Sequence, residues 1–176
     1  MKLIRKGVFE TNSSSAHSLA YGTSKVIRGA GWGMPPDETD FSNPMYRLDE
    51  VPDQYKGYTF YEWLGEYGWH GKTLYSPQQK FSYLLTSIAD TTKELHKATG
   101  YYVLKEMMES IGLNIKPSDE DEEGYIDHQS YGIVDMSLFK TKEDLITYLF
   151  NDNICIHIEN DNDEYQEWYT GERNDD

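Results

Sequence analysis

From Ser76 to Ala89 the sequence S-P-Q-Q-K-F-S-Y-L-L-T-S-I-A leaves little choice of local structure. Ser76 is a helix-capping residue type, and Pro77 suits the first helical position, where a missing N–H costs nothing. Phe81, Leu84, Leu85, Ile88 and Ala89 then recur at i, i+3, i+4, i+7 and i+8, one face of a 3.6-residue period. The spacing predicts a core-facing helix over 77–90.

Other segments carry the same kinds of signal. Thr91 and Glu94 have capping-box spacing ahead of Val103, Leu104, Met107, Met108 and Ile111, with Gly112 as the stop. They predict a helix over 92–111 that Gly100 bends or breaks, with the methionines filling gaps in a core. Thr141 caps a third helix, through Leu145, Ile146, Leu149 and Phe150. Thr59 and Glu62 again have capping-box spacing, and Phe60, Trp63, Leu64 and Tyr67 then predict a short helix that ends near Gly65 to Gly68.

Strand signals flank these helices. Ile154, Ile156 and Ile158 alternate strictly, the mark of a half-buried strand. Residues 2–10 read as a strand with Gly7 as a bulge, and Ser18 to Val26 as a second. Asn160 to Asp163 read as a turn, from which Tyr165 to Tyr169 pairs back as a hairpin. Residues 29–45 hold three Gly and three Pro without a period and read as an irregular loop. Their G-x-G-x-G lacks the strand–turn–helix setting of a phosphate cradle. Residues 171–176 read as a frayed tail. Together these predict a single α+β domain, with a small, mainly antiparallel sheet packed by three or four helices.

The 176 residues suffice for one domain with a real core. No apolar run approaches the roughly 18 residues of a membrane span, and no signal-peptide pattern opens the chain. The lone Cys155 fits a reducing, cytoplasmic setting and reads as a small buried hydrophobe. No Cys or His grouping has zinc spacing, and no cofactor motif is present.

Charge is distributed unevenly. Residues 1–88 carry nine Lys and Arg against nine Asp and Glu, whereas residues 89–176 carry seven against twenty-two. The whole net charge of −15 therefore falls in the second half. A field of that sign repels nucleic acid and anionic membrane and attracts basic surfaces. Asp119, Glu120, Asp121, Glu122 and Glu123 are consecutive and repel one another, which predicts an exposed loop within 117–123. A second acidic group, Glu159, Asp161, Asp163, Glu164 and Glu167, is interleaved with Tyr165, Trp168 and Tyr169. Carboxylates mixed with aromatics suit a protein-binding surface.

Two polar constellations could carry chemistry. Thr11 to Ser18 places Asn12, Ser13, Ser14, Ser15 and His17 in one short run, whose side chains compete with backbone ladders and so predict a loop. The run could bind an anion with His17 as acid or base, or be a turn in which His17 is merely packed. No nucleophile elbow surrounds its serines. Asp127-His128-Gln129-Ser130 follows the acidic run. Asp127 and His128 are neighbours and cannot face each other along a strand, so a catalytic role would need the Ser-rich run as partner. The Asn160–Glu164 stretch lacks the glycine turn of a calcium loop.

The segment Arg5–Ser18, R-K-G-V-F-E-T-N-S-S-S-A-H-S, resembles the N-terminus of a group of uncharacterised proteins from bacteriophages and prophages of Firmicutes. G-Y-I-D-H-Q-S (124–130), Y-L-F-N (148–151) and D-N-D (161–163) resemble further features of that group. The resemblance covers a minor part of the chain. It implies a phage origin and no particular chemistry. By analogy of context, it raises the class of anti-CRISPR or anti-restriction inhibitors, which fill nucleic-acid clefts with carboxylates. The expected partner is then a basic surface of a host nuclease in the host cytoplasm, with no direct nucleic acid and no membrane. The rival expectation is an enzyme or a small-ligand or nucleotide-binding protein, with its pocket built from 11–18 and 127–130.

Overall fold

The structure is a computed structural model. It describes residues 15–21, 47–68, 71–90, 92–118, 124–126 and 134–160, with backbone only for 15–21 and 159–160. Seven strands and three α-helices are described: β1 (Ser15–Tyr21), β2 (Thr59–Glu62), β3 (Glu66–Tyr67), β4 (Lys72–Leu74), α1 (Pro77–Asp90), α2 (Thr99–Ser110), β5 (Asn114–Pro117), β6 (Tyr125–Ile126), α3 (Lys142–Phe150) and β7 (Ile154–Asn160). The mixed helix and strand content makes a small α+β fold. No described helix is long and apolar enough to cross a membrane.

Helix α1 forms where its sequence places it. The Ser76 hydroxyl accepts from Gln79 N at 3.3 Å, and Gln79 Oε1 accepts in return from Ser76 N at 3.1 Å. This is a reciprocal cap that satisfies donors the first turn leaves orphaned. More than one face is buried, however. Every residue from Lys80 to Ala89 is buried, so α1 runs through the middle of the molecule. Most of its polar residues survive there by finding a partner. Tyr67 Oη donates to Ser82 Oγ at 2.9 Å, and Gly65 N donates to Thr86 Oγ1 at 3.1 Å. Thr86 Oγ1 donates onward to the Ser82 carbonyl at 2.9 Å. Phe81 packs on Phe60, and Phe60 on Phe150, with ring centroids 4.7 and 6.1 Å apart, which joins α1, β2 and α3 in one aromatic core.

Helix α3 also follows its sequence. Thr141 and Asp144 form a full capping box, with Thr141 N donating to Asp144 Oδ2 at 2.8 Å. The 47–48 segment clamps this helix from outside. Arg47 Nη1 lies 3.3 Å from Asp144 Oδ1, and Leu48 N donates to Thr147 Oγ1 at 2.8 Å.

Helix α2 is shorter than its pattern. It starts at Thr99, after a 3-10 turn over Leu95–Lys97 and a left-handed Lys93 (φ 61°), rather than at residue 92. Thr92 Oγ1 donates to the Glu94 carbonyl at 2.7 Å, a local alternative to helix. Gly100 lies inside the helix, with the space of its absent side chain taken by Met136 and Ile88. Gly112 (φ 77°) does end the helix: Leu113 N donates to the Met108 carbonyl and Gly112 N to that of Glu109. Met108 is buried and Met107 partly so, as core gap-fillers would be, but Val103 is exposed and Tyr101 takes its place in the core.

The expected helix over 60–67 is instead β2 and β3. Phe60 is buried and Tyr61 exposed, a two-residue period that a β-branched and aromatic segment can satisfy as well as a helix. The capping-box spacing of Thr59 and Glu62 was coincidental.

The sheet is antiparallel only in part. Strands β1, β7 and β4 form an antiparallel sheet in that order. Two further pairs, β2–β5 and β3–β6, are parallel. Ile154, Ile156 and Ile158 of β7 are buried as their alternation requires, and Cys155, between them, is half-buried rather than fully so. The expected strand over 2–10, the loop over 29–45, the hairpin over 165–169 and the tail 171–176 lie outside the described residues.

Candidate functional site: the β1–β7–β4 sheet and the root of the acidic run

The Ser-rich run does not stay a loop to its end. Ser15, Ala16, His17 and Ser18 are the first four residues of β1, which starts at Ser15 rather than at Ser18. A complete ladder to β7 outweighs the local side-chain bonding that argued for a loop. Register pairs Ser15 with Asn160, Ala16 with Glu159, His17 with Ile158 and Ser18 with His157. The fold thus brings Ser15 and His17 beside Glu159, uniting two candidate groups far apart in sequence. Ser15 and Asn160 pair at one end of this ladder. Asn12, Ser13 and Ser14 before it, and Asp161, Asp163, Glu164, Tyr165, Glu167, Trp168 and Tyr169 after it, lie outside the described residues.

Across β7 the row continues onto β4, where Lys72 stands opposite Ile158 and Thr73 opposite His157. Thr73 Oγ1 lies 2.8 Å from His157 Nδ1, a hydrogen bond that orients the imidazole. Lys72 Nζ donates to the Glu66 carbonyl at 3.0 Å and lies 4.5 Å from the centre of the Tyr67 ring. Burial holds its ammonium below the usual lysine range. Burial likewise pushes the Cys155 thiol up, the opposite of what an activated nucleophile needs. His157 was absent from the sequence-based candidates. Its signal was a polar residue at the off-phase position of an Ile-alternating strand.

The acidic run is rooted differently. Strands β2 and β5 pair in parallel up to Glu62 opposite Pro117, and β3 and β6 resume with Glu66 opposite Tyr125. Three residues, 63–65, connect the strands on one side, and seven, 118–124, on the other. In sequence, the acidic run falls within the longer of these two connections. Its downstream end is tight. A Cβ on Gly124 would stand 2.6 Å from the Leu64 carbonyl carbon and 2.8 Å from Gly65 N, closer than any real Cβ tolerates. Asp119 to Glu123, and Asp127 and His128 beyond β6, lie outside the described residues. Among the described residues no group of His, Cys, Asp and Glu is assembled to hold a metal ion.

Comparison of the chain with protein-family models, with curated proteins and with solved structures gives no match.

Proposed function

We propose that the chain is an acidic binding protein that occupies the basic, nucleic-acid-binding groove of a host defence enzyme, in the manner of an anti-CRISPR or anti-restriction inhibitor. The observation that carries this reading is the placement of charge. All of the net −15 falls after residue 88, and no Lys or Arg occurs between Lys116 and Lys140 or between Lys142 and Arg173. In the folded body, by contrast, basic residues meet local carboxylates: Lys56 with Asp53 and Lys97 with Glu94 at 2.6 Å, and Arg47 with Asp144 at 3.3 Å. In sequence, the carboxylates between Lys116 and Lys140 and between Lys142 and Arg173 outnumber any nearby basic residues, a balance that favours a cationic partner.

The test is competition. The full chain is titrated into a guide-loaded CRISPR effector nuclease with labelled target DNA, at low and at high salt. The proposal expects displacement of DNA, an affinity that falls steeply with salt, and loss of binding in Asp119→Lys/Asp121→Lys/Glu123→Lys. Salt-independent binding, or an undiminished triple variant, overturns the mimicry.

One observation favours a second reading, a small-ligand or nucleotide site: Ser18, the last residue of the Ser-rich run, stands opposite the oriented His157. On this reading His17→Ala and His128→Ala abolish ligand binding with the fold intact. Retained nucleotide binding in both variants dismisses it.

A further inference from the structure

Exposed aromatic side chains of β2 and of the approach to α1 gather around one pair of glutamines, away from the sheet of the candidate site. Parallel register puts Phe60 and Ile115 on the face of β2 and β5 that packs on the core. Tyr61 and Lys116 stand together on the opposite face, where both are exposed. A side chain closes the edge of β2 that faces away from β5. Gln78 Oε1 accepts from Tyr61 N at 3.1 Å, and Gln78 Nε2 donates to the Tyr61 carbonyl at 3.0 Å. The next residue does the same for the segment before α1: Gln79 Oε1 accepts from Tyr75 N at 3.2 Å and from Ser76 N at 3.1 Å. Trp63 N donates to the Tyr61 carbonyl at 2.8 Å. The main chain under Tyr61 and Tyr75 is thus fixed, while their side chains stay 51% and 61% exposed, and Trp63 beside them 39%.

Large aromatic side chains on a fixed main chain lose little freedom when they are covered, and Tyr and Trp are the residues that carry most binding energy. Charge narrows the partner. The chain carries a net charge of −15, yet this face contributes a lysine and no accessible carboxylate. Glu62, the one acid of β2, β5 and residues 75–79, is turned inward: its side chain is 9% exposed, and its Oε1 accepts from the Tyr101 hydroxyl. Two copies of so acidic a chain repel each other, and least where neither presents a carboxylate. The face is also self-complementary. Because Tyr61 and Lys116 are cross-strand neighbours, a two-fold axis between them sets each lysine against the tyrosine ring of the other copy, twice in one contact.

We propose that this face docks a second copy of the chain, in a two-fold dimer made through Tyr61, Trp63, Tyr75 and Lys116. The dimer does not depend on the role proposed above for the acidic run.

Sedimentation equilibrium of the full chain over a wide range of concentration tests this. The wild type is expected to show a monomer–dimer equilibrium, which Tyr61→Ala and Tyr75→Ala each weaken about tenfold or more. Lys116→Glu, which sets a carboxylate beside the axis, should abolish the dimer. Lys105→Glu, the same charge change at an exposed position of α2, should leave it intact. The bonds from Gln78 and Gln79 reach main-chain atoms and survive all four substitutions, so the fold is kept. A wild type that is monomeric at every concentration overturns the proposal. So does a dimer that survives both tyrosine substitutions, or one that Lys105→Glu weakens as much as Lys116→Glu.

Discussion

Lys80 Nζ lies 3.1 Å from the carbonyl oxygen of Asn151, and a second carbonyl, that of Ile154, lies at the same distance. A lysine one turn into the central helix thus holds the corner at which α3 ends and β7 begins. Tyr148, the last but two of α3, closes the loop by donating to the Lys80 carbonyl at 2.7 Å.

This ammonium is buried, and no carboxylate among the described residues forms a salt bridge with it. Desolvation pulls its pKa down to about 8, against partial support from Asp152 and Cys155. The unfolded chain, with an ordinary lysine, binds that proton more tightly. Between about pH 8 and 10.5 the unfolded state is therefore the more protonated, and stability rises with pH. The unfolding free energy of wild type minus that of Lys80→Met, from urea titrations, should rise across that window by on the order of 3 kcal/mol in total. A flat difference would mean that the amine is not desolvated.

The capping box of α3 is loaded on both sides. Asp144 serves Thr141 N and also Arg47, and Thr141 Oγ1 accepts from Asp144 N at 3.3 Å. Thr141→Ala should cost about 1 kcal/mol, as an N-cap does. Asp144→Ala should cost more, since it also strips Arg47 of its least exposed partner. Chemical denaturation of the two variants should rank them in that order.

Gly124 is a packing glycine. In Gly124→Ala the added methyl meets backbone of Leu64 and Gly65, which cannot rotate aside as a side chain would. Overpacking of this kind costs about 1–3 kcal/mol, and here it should separate β6 from β3. Hydrogen exchange at Tyr125, whose N–H donates to the Gly65 carbonyl at 3.1 Å, should quicken. An unchanged rate would show that the acidic run is not pinned at this point.

Ser87 Oγ is the one buried side-chain polar atom that lacks a hydrogen-bond partner among the described residues. Removing it should leave stability unchanged or raise it by about 1 kcal/mol, so Ser87→Ala should unfold no earlier than wild type on heating. A clear loss of stability would reveal a bonded hydroxyl.

Local chemistry alone determined α1, α3 and β7. Ser76 and Pro77, Thr141, and the Ile154–Ile158 alternation each state a start, a period and a face within a few residues, and no distant contact could reverse them. The Gly112 stop belongs with these, because only a residue tolerant of positive φ ends a helix that way. Tertiary structure decided the rest. Residues 59–67 fit either period, and the parallel partners at 114–117 and 125–126 selected strand. Ser15 to Ser18 favour local bonding until β7, some 140 residues away, offers an antiparallel ladder. For the same reason the pairing of His17 with Ile158, and the approach of Glu62 to His96, could not be read from the chain. Register and burial arise from segments that are remote in sequence, and no local pattern encodes which remote segment will arrive.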